Sequence, residues 1–99
     1  MDIFALRDRK AAFTVFVKDS ANSEDFERWF ITNMLLEDNG KSVFQVFPED
    51  YDIYKLCSFD RTSMLVTPPK SPKLICSVAD LYSKYKLARP HWVSNSDET

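Results

Sequence analysis

The sequence predicts a small α+β domain, in which two β-hairpins form a mostly antiparallel sheet and two helices complete the order ββαββα. Apolar residues alternate in some segments and recur every three or four positions in others. In addition, 44% of the 99 residues are hydrophobic, which is enough for one core but not for two. We therefore assign residues 1–93 to one domain with about four strands, and expect residues 94–99 to be a disordered polar tail.

The first predicted hairpin joins residues 3–6 to residues 11–18 through a polar turn at residues 8–10. Aromatic and β-branched residues alternate along the second segment, with Thr14 and Phe16 on the same side, and this pattern favours a strand. The turn contains no Gly, so we expect a loop of about three to five residues instead of a tight two-residue turn.

A helix follows, with Asn22 or Ser23 as its N-cap and acidic residues in its first turn, where the helix dipole favours negative charge. Its apolar face begins with Phe26 and Trp29 and widens later in the helix. Asn39 and Gly40 are a good stop signal, since Gly tolerates the left-handed conformation common at helix ends.

The second half of the chain contains the second hairpin. Residues 42–47 alternate and indicate either a short strand or an extended loop. Residues 51–59 read as a strand that turns at residues 60–63 and pairs back with residues 64–67. The prolines that follow end the pairing, because proline donates no hydrogen bond to a neighbouring strand.

The last predicted element is a helix with Ser71 as N-cap and Pro72 at the first helical position. An apolar stripe runs along it, and Pro90 ends it at about Ala88. We expect the first helix to pack on one face of the sheet. The C-terminal helix either covers the sheet further or mediates self-association.

Residue counts exclude several kinds of site. The chain has one Gly and one His, His91, so it lacks a Gly-rich phosphate loop and a multi-histidine metal site. Cys57 and Cys76 form no CxxC pair, and we interpret them as reduced, half-buried residues. The sequence also shows no secretory signal and no membrane-spanning stretch. We therefore expect no enzyme, no metal and no cofactor.

Charge is uneven along the chain, with net values of +2 over residues 1–18, −7 over residues 19–60 and +3 over residues 61–99. The basic C-terminal part predicts a single-strand binding surface, where cations contact phosphates and rings stack on bases. The candidate nucleic-acid-binding residues are Lys70, Lys73, Lys84, Lys86, Arg89 and Trp92. The alternative is an amphipathic helix with its tyrosines in the core and its lysines only solvated. A pI near 5.3 argues against strong non-specific DNA binding.

The acidic middle part offers a second candidate surface. Glu49, Asp50 and Asp52 are candidate partner-binding residues, and their charge would repel phosphate. Two neighbouring carboxylates cannot provide the oxygen-rich shell that Mg²⁺ or Ca²⁺ requires. The alternative is a solvated turn, in which Pro48 restricts the chain and Asp50 caps the bend.

Three short segments carry a resemblance to a known family. They are Pro-Glu-Asp-Tyr at residues 48–51 with Phe-Asp at residues 59–60, Asp-Arg-Lys-Ala at residues 8–11, and the pair Arg28 and Phe30. Together they resemble the small nonstructural protein of microviruses, the small circular single-stranded-DNA phages, in its gokushovirus-type branch. The resemblance spans roughly residues 3–68 and implies little about residues 72–99.

Members of that family are regarded as counterparts of the microvirus protein C, which favours single-stranded genome synthesis and packaging late in replication. The resemblance thus implies a non-enzymatic phage accessory protein in the host cytoplasm, which contacts single-stranded DNA or phage or host replication proteins. The alternative is a protein–protein adaptor for a host or phage protein, with no affinity for nucleic acid. Small sheets with open edges often dimerise, so a homodimer is a further candidate.

Overall fold

The computed structural model describes residues 1–36 and 43–88 and confirms the α+β class. The strands are β1 (Asp2–Asp8), β2 (Phe13–Ser20), β3 (Tyr51–Phe59), β4 (Val66–Thr67) and β5 (Lys73–Ser77). The helices are α1 (Ser23–Phe30), α2 (Val43–Val46) and α3 (Val78–Lys84). A π-helical turn, Ile31–Leu35, extends α1, and a 3₁₀ turn, Pro48–Asp50, precedes β3.

All strand pairs in the sheet are antiparallel. β1 lies between β2 and β3, while β4 and β5 both pair with β3. β5 pairs with the first half of β3 and β4 with its last two residues, so these two short strands follow one another along the same edge of β3. The loop between β4 and β5 therefore runs along that edge.

The core lies between one face of the sheet and the helices. Phe4, Leu6 and Ile53 point to this face and are fully buried. They pack with buried residues of α1 and α3, and the ring of Phe4 stacks on that of Phe26 with centroids 5.1 Å apart. The helices thus cover one face of the sheet. Ala5 and Tyr54 are sequence neighbours of these core residues and lie on the opposite face.

β2 contains a β-bulge, so its side chains do not alternate as predicted. Leu6 pairs with Phe16, but the next residue of β1, Arg7, pairs with Thr14, so Val15 is the extra residue of the bulge. Because a bulge shifts the alternation by one position, Phe16 faces the core while Thr14 faces the opposite side. The prediction that both residues lie on the same side is therefore wrong.

The start of α1 agrees with the sequence. Asn22 is the N-cap, and its side-chain oxygen accepts a hydrogen bond from the backbone N–H of Asp25 at 2.9 Å. The predicted stop at residues 39–40 lies outside the described residues. The segment that was expected to be a strand or loop contains α2 instead, and the buried side chain of Gln45 joins α2 to the preceding π-helical turn by donating to the carbonyl of Leu35 at 2.7 Å.

The predicted C-terminal helix is only partly correct. Its first half is the strand β5, and α3 begins only at Val78. A capping box explains this start: the Ser77 hydroxyl accepts from the N–H of Asp80, and the Asp80 carboxylate accepts from the N–H of Ser77. The helix ends at Lys84 and not near Ala88.

Candidate nucleic-acid interface

The uncovered face of the sheet contains a groove with a volume of about 230 Å³. It is lined by Ala5, Arg7, Thr14, Tyr54, Leu56 and Pro72. Strand pairing places Ala5 opposite Tyr54 and Arg7 opposite Thr14. Because Ala5 has a short side chain between longer ones, the sheet surface is depressed at that point.

An apolar row crosses four strands through this groove. Strand pairing aligns Val17 of β2, Ala5 of β1, Tyr54 of β3 and Leu74 of β5. The two outer members, Val17 and Leu74, are each 53% exposed, whereas Tyr54 is half-buried between them. Large exposed apolar side chains in a continuous row indicate a surface that contacts a ligand or partner.

Arg7 adds a positive charge beside this row. It follows Ala5 by two positions on β1 and therefore projects from the same face. None of the ion pairs seen within residues 1–36 and 43–88 involves Arg7. An aromatic ring and a neighbouring guanidinium are the groups that proteins use to bind single-stranded nucleic acid on a sheet.

The described residues of the predicted C-terminal basic surface lie in two parts of the molecule. Lys84 donates a hydrogen bond to Glu27 at 2.8 Å, and the rings of Tyr82 and Tyr85 pack against the core. Lys86 is exposed just beyond α3. Arg89 and Trp92 lie outside the described residues, so their predicted role stays a prediction.

The two remaining predicted cations lie near the edge of β3. Lys70 is exposed in the loop between β4 and β5, and Lys73 is the first residue of β5. Lys73 lines a pocket together with Lys55 and Ser58. These cations therefore belong to a different part of the molecule from Lys84, which packs on α1.

The buried carboxylate of Glu27 is a candidate functional group that was not predicted from the sequence. The side chain of Glu27 is only 2% exposed, and its Oε1 accepts from both Lys84 and the Tyr85 hydroxyl at 2.8 Å. Its Oε2 lies 4.0 Å from the Cys76 sulfur. Burial, followed by the bond to Glu27, raises the pKa of Tyr85. An acidic residue beside Phe26 on the apolar face of α1 was the available signal in the sequence. These contacts tie α3 to α1.

Cys76 should make the protein less stable in alkali. Burial, and then the charge of Glu27, raise the pKa of this thiol from 9.0 to about 12. Below pH 9 the thiol keeps its proton in both states, and the stabilisation is fully present. As the pH rises through this interval, the unfolded chain loses the proton first, so the free energy of unfolding falls.

Urea denaturation at neutral and increasingly alkaline pH measures this decline. Tyr51 and Tyr85 also have raised pKa values and contribute to the decline at higher pH. Cys76→Ala should therefore abolish the decline in stability that begins near pH 9, while the decline caused by the tyrosines at higher pH should remain. An identical decline in the variant would contradict the role of Cys76.

The predicted acidic surface is largely neutralised within the chain. Asp52 is buried, and its two carboxylate oxygens accept from the guanidinium of Arg9 at 2.7 and 3.0 Å. Asp50 lies 3.8 Å from the ammonium of Lys10, and only Glu49 of the three residues is exposed. A paired arrangement of two donors on one carboxylate is among the stronger ion-pair geometries. The role of these residues in partner binding stays a prediction.

These ion pairs join two of the three segments that carried the family resemblance. The turn at residues 8–11 lies against the segment at residues 48–51, and the N–H of Arg9 also donates to the carbonyl of Asp50 at 2.8 Å. The Asp8 side chain closes the turn by accepting from the N–H of Ala11. The two segments thus form a single structural contact between the first hairpin and the start of β3.

The family model described as phage ORF5 protein matches residues 1–81, which include every residue of the groove. No curated protein and no solved structure matches the chain. Among the described residues, the helices are too short or too polar to cross a membrane.

Proposed function

This chain belongs to the phage ORF5 protein family, and from that premise we propose that it is a non-enzymatic accessory protein that binds single-stranded DNA across the uncovered face of its sheet. The observation that carries this proposal is the apolar row through Tyr54 with Arg7 beside it. All residues of the groove lie within the matched segment.

The proposed binding mode places one base on the ring of Tyr54. Stacking on an aromatic side chain contributes about 1–3 kcal/mol per base and tolerates any sequence, because every base has a π face. Arg7 contacts a phosphate or a base edge beside the ring, and Val17 and Leu74 contact the flanking bases. Duplex DNA hides its base faces within the stack, so this surface selects for single strands.

The proposed biological role follows from the resemblance to the microvirus nonstructural protein. A protein that occupies the newly made single strand prevents its use as a template for further duplex synthesis and leaves it available for packaging. This role requires occupancy only and no bond cleavage, and it takes place in the cytoplasm of the bacterial host. The net charge of −2 limits the interaction to a local contact, without broad electrostatic attraction.

Fluorescence anisotropy with a labelled single-stranded oligonucleotide, measured over a range of salt concentrations, tests this function. We expect saturable binding whose log affinity falls with log salt concentration by roughly 0.7 for each phosphate contacted. The duplex of the same sequence is the control and should bind more weakly. Failure to bind at low ionic strength, or equal affinity for the duplex, would refute the proposal. Either result would favour a protein–protein adaptor, and charge reversal of exposed Glu49 then tests that function.

A further inference from the structure

We infer that a second pocket, where β3 meets β4 and β5, is a binding site for a phosphate group. This pocket has a volume of about 210 Å³. It is lined by Lys55, Ser58, Thr67, Pro68, Pro69 and Lys73. The lining thus includes two lysines, a serine and a threonine, which come from three strands.

Strand pairing brings these donors together. Lys55 lies directly opposite Lys73, and Ser58 lies directly opposite Thr67. Lys55 and Ser58 are three positions apart and would normally point to opposite faces of the sheet. A bulge in β3 at Leu56 changes this, because Phe4 pairs with Lys55, Ile3 with Cys57 and Asp2 with Ser58. The bulge therefore turns both polar side chains to the same face.

The charges in this pocket are not balanced. Two lysines directly opposite one another repel, and this arrangement destabilises a sheet. Asp2 compensates only one of them: its carboxylate lies 3.4 Å from the Lys55 ammonium and accepts from the Ser58 hydroxyl at 3.0 Å. Lys73 is exposed, and Lys70 in the adjacent loop adds a further positive charge. A ligand with negative charge and several acceptor oxygens, such as phosphate, would relieve the repulsion.

The pocket and the groove lie on either side of one loop. Pro68 and Pro69 line the pocket, whereas Pro72 lines the groove on the uncovered face. Lys55 pairs with Phe4 and therefore faces the helix side of the sheet, whereas Tyr54 faces the uncovered side. A single strand with one base on Tyr54 would thus have to cross the sheet edge at this loop to place a phosphate between Lys55 and Lys73. This last step rests on the proposed function, whereas the phosphate site itself does not.

Titration with inorganic phosphate, followed by amide chemical shifts in NMR, tests the site directly. We expect saturable shifts centred on Lys55, Ser58, Thr67 and Lys73. Lys73→Gln should weaken phosphate binding by about tenfold or more. Asp2→Asn should strengthen it, because the variant removes the carboxylate that competes for Lys55. Arg28→Gln is the matched control, since it removes an exposed cation from α1 and should leave the affinity unchanged.

Shifts spread over all surface cations, or equal affinities in Lys73→Gln and Arg28→Gln, would overturn the phosphate site. The same variants, measured with the labelled oligonucleotide, identify the source of the phosphate. Weaker oligonucleotide binding by Lys73→Gln supports a phosphate of the DNA backbone. If Lys73→Gln weakens phosphate binding but leaves oligonucleotide binding unchanged, the natural ligand of the pocket is a free phosphate compound. The salt titration with the oligonucleotide then tests the groove independently.

Discussion

Phe4→Ala is expected to lower the free energy of unfolding by about 3–5 kcal/mol. The Phe4 ring is fully buried and stacks on Phe26, so its removal exposes a cavity between β1 and α1. Small domains are stable by only about 5–15 kcal/mol, so this loss is a large fraction of the total. Equilibrium urea denaturation followed by tryptophan fluorescence measures it.

The control for this prediction is Phe13→Ala. Phe13 lies on the neighbouring strand β2 and is 62% exposed, so its removal should change the free energy of unfolding by no more than about 0.5 kcal/mol. Comparable losses in the two variants would contradict the placement of the core between the helices and one face of the sheet.

Tyr54→Ala is expected to weaken binding of a single-stranded oligonucleotide by about 5- to 150-fold, which corresponds to the loss of one stacked base. The ring lies at the centre of the apolar row and lines the groove. Fluorescence anisotropy measures the affinity, and thermal denaturation shows that the variant is folded.

Tyr54→Phe provides the matched control, because it keeps the ring and removes only the hydroxyl. It should retain most of the affinity. Affinity that is unchanged in a folded Tyr54→Ala variant would remove the groove from the proposed function. Loss of affinity in Tyr54→Phe comparable to that in Tyr54→Ala would show that the hydroxyl group, not stacking, provides the contact.

Local patterns predicted the elements whose signals lie within a few residues. The N-cap at Asn22 is confirmed, because its side chain bonds within the first turn of α1. The strand predicted at residues 51–59 has the same bounds as β3, and the first hairpin is present. Each of these depends on neighbours along the chain, which periodicity and capping rules describe well.

The segment before α3 could not be assigned in the same way. Leu74, Ile75 and Val78 have a spacing that fits the apolar face of a helix, and Pro72 fits a helix start. In the structure, residues 73–77 pair with the first half of β3, which is 20 or so positions earlier in the chain. The boundary between β5 and α3 is set by the free edge of β3, with which residues 73–77 pair, and by the capping box at Ser77.

The candidate site depended even more on tertiary structure. Sequence reasoning found the cations and aromatic residues of the C-terminal part, but the structure engages Lys84 with buried Glu27 and packs the neighbouring tyrosine rings on the core. Tyr54 belongs to the predicted strand at residues 51–59, and Arg7 directly follows the predicted strand at residues 3–6, yet nothing local shows that they share a groove. Their proximity follows from the pairing of β1 with β3.

By itself, the sequence determined the α+β class, the first hairpin, the cap of α1, the central strand and, through short segments, membership of a phage family. Only the tertiary structure decided which face of the sheet is covered, where the bulges turn Thr14 and Ser58, and which charges are neutralised. The physical reason is that capping and periodicity act over a few residues. Strand register, in contrast, joins distant segments, and one extra residue reverses the face to which every following side chain points.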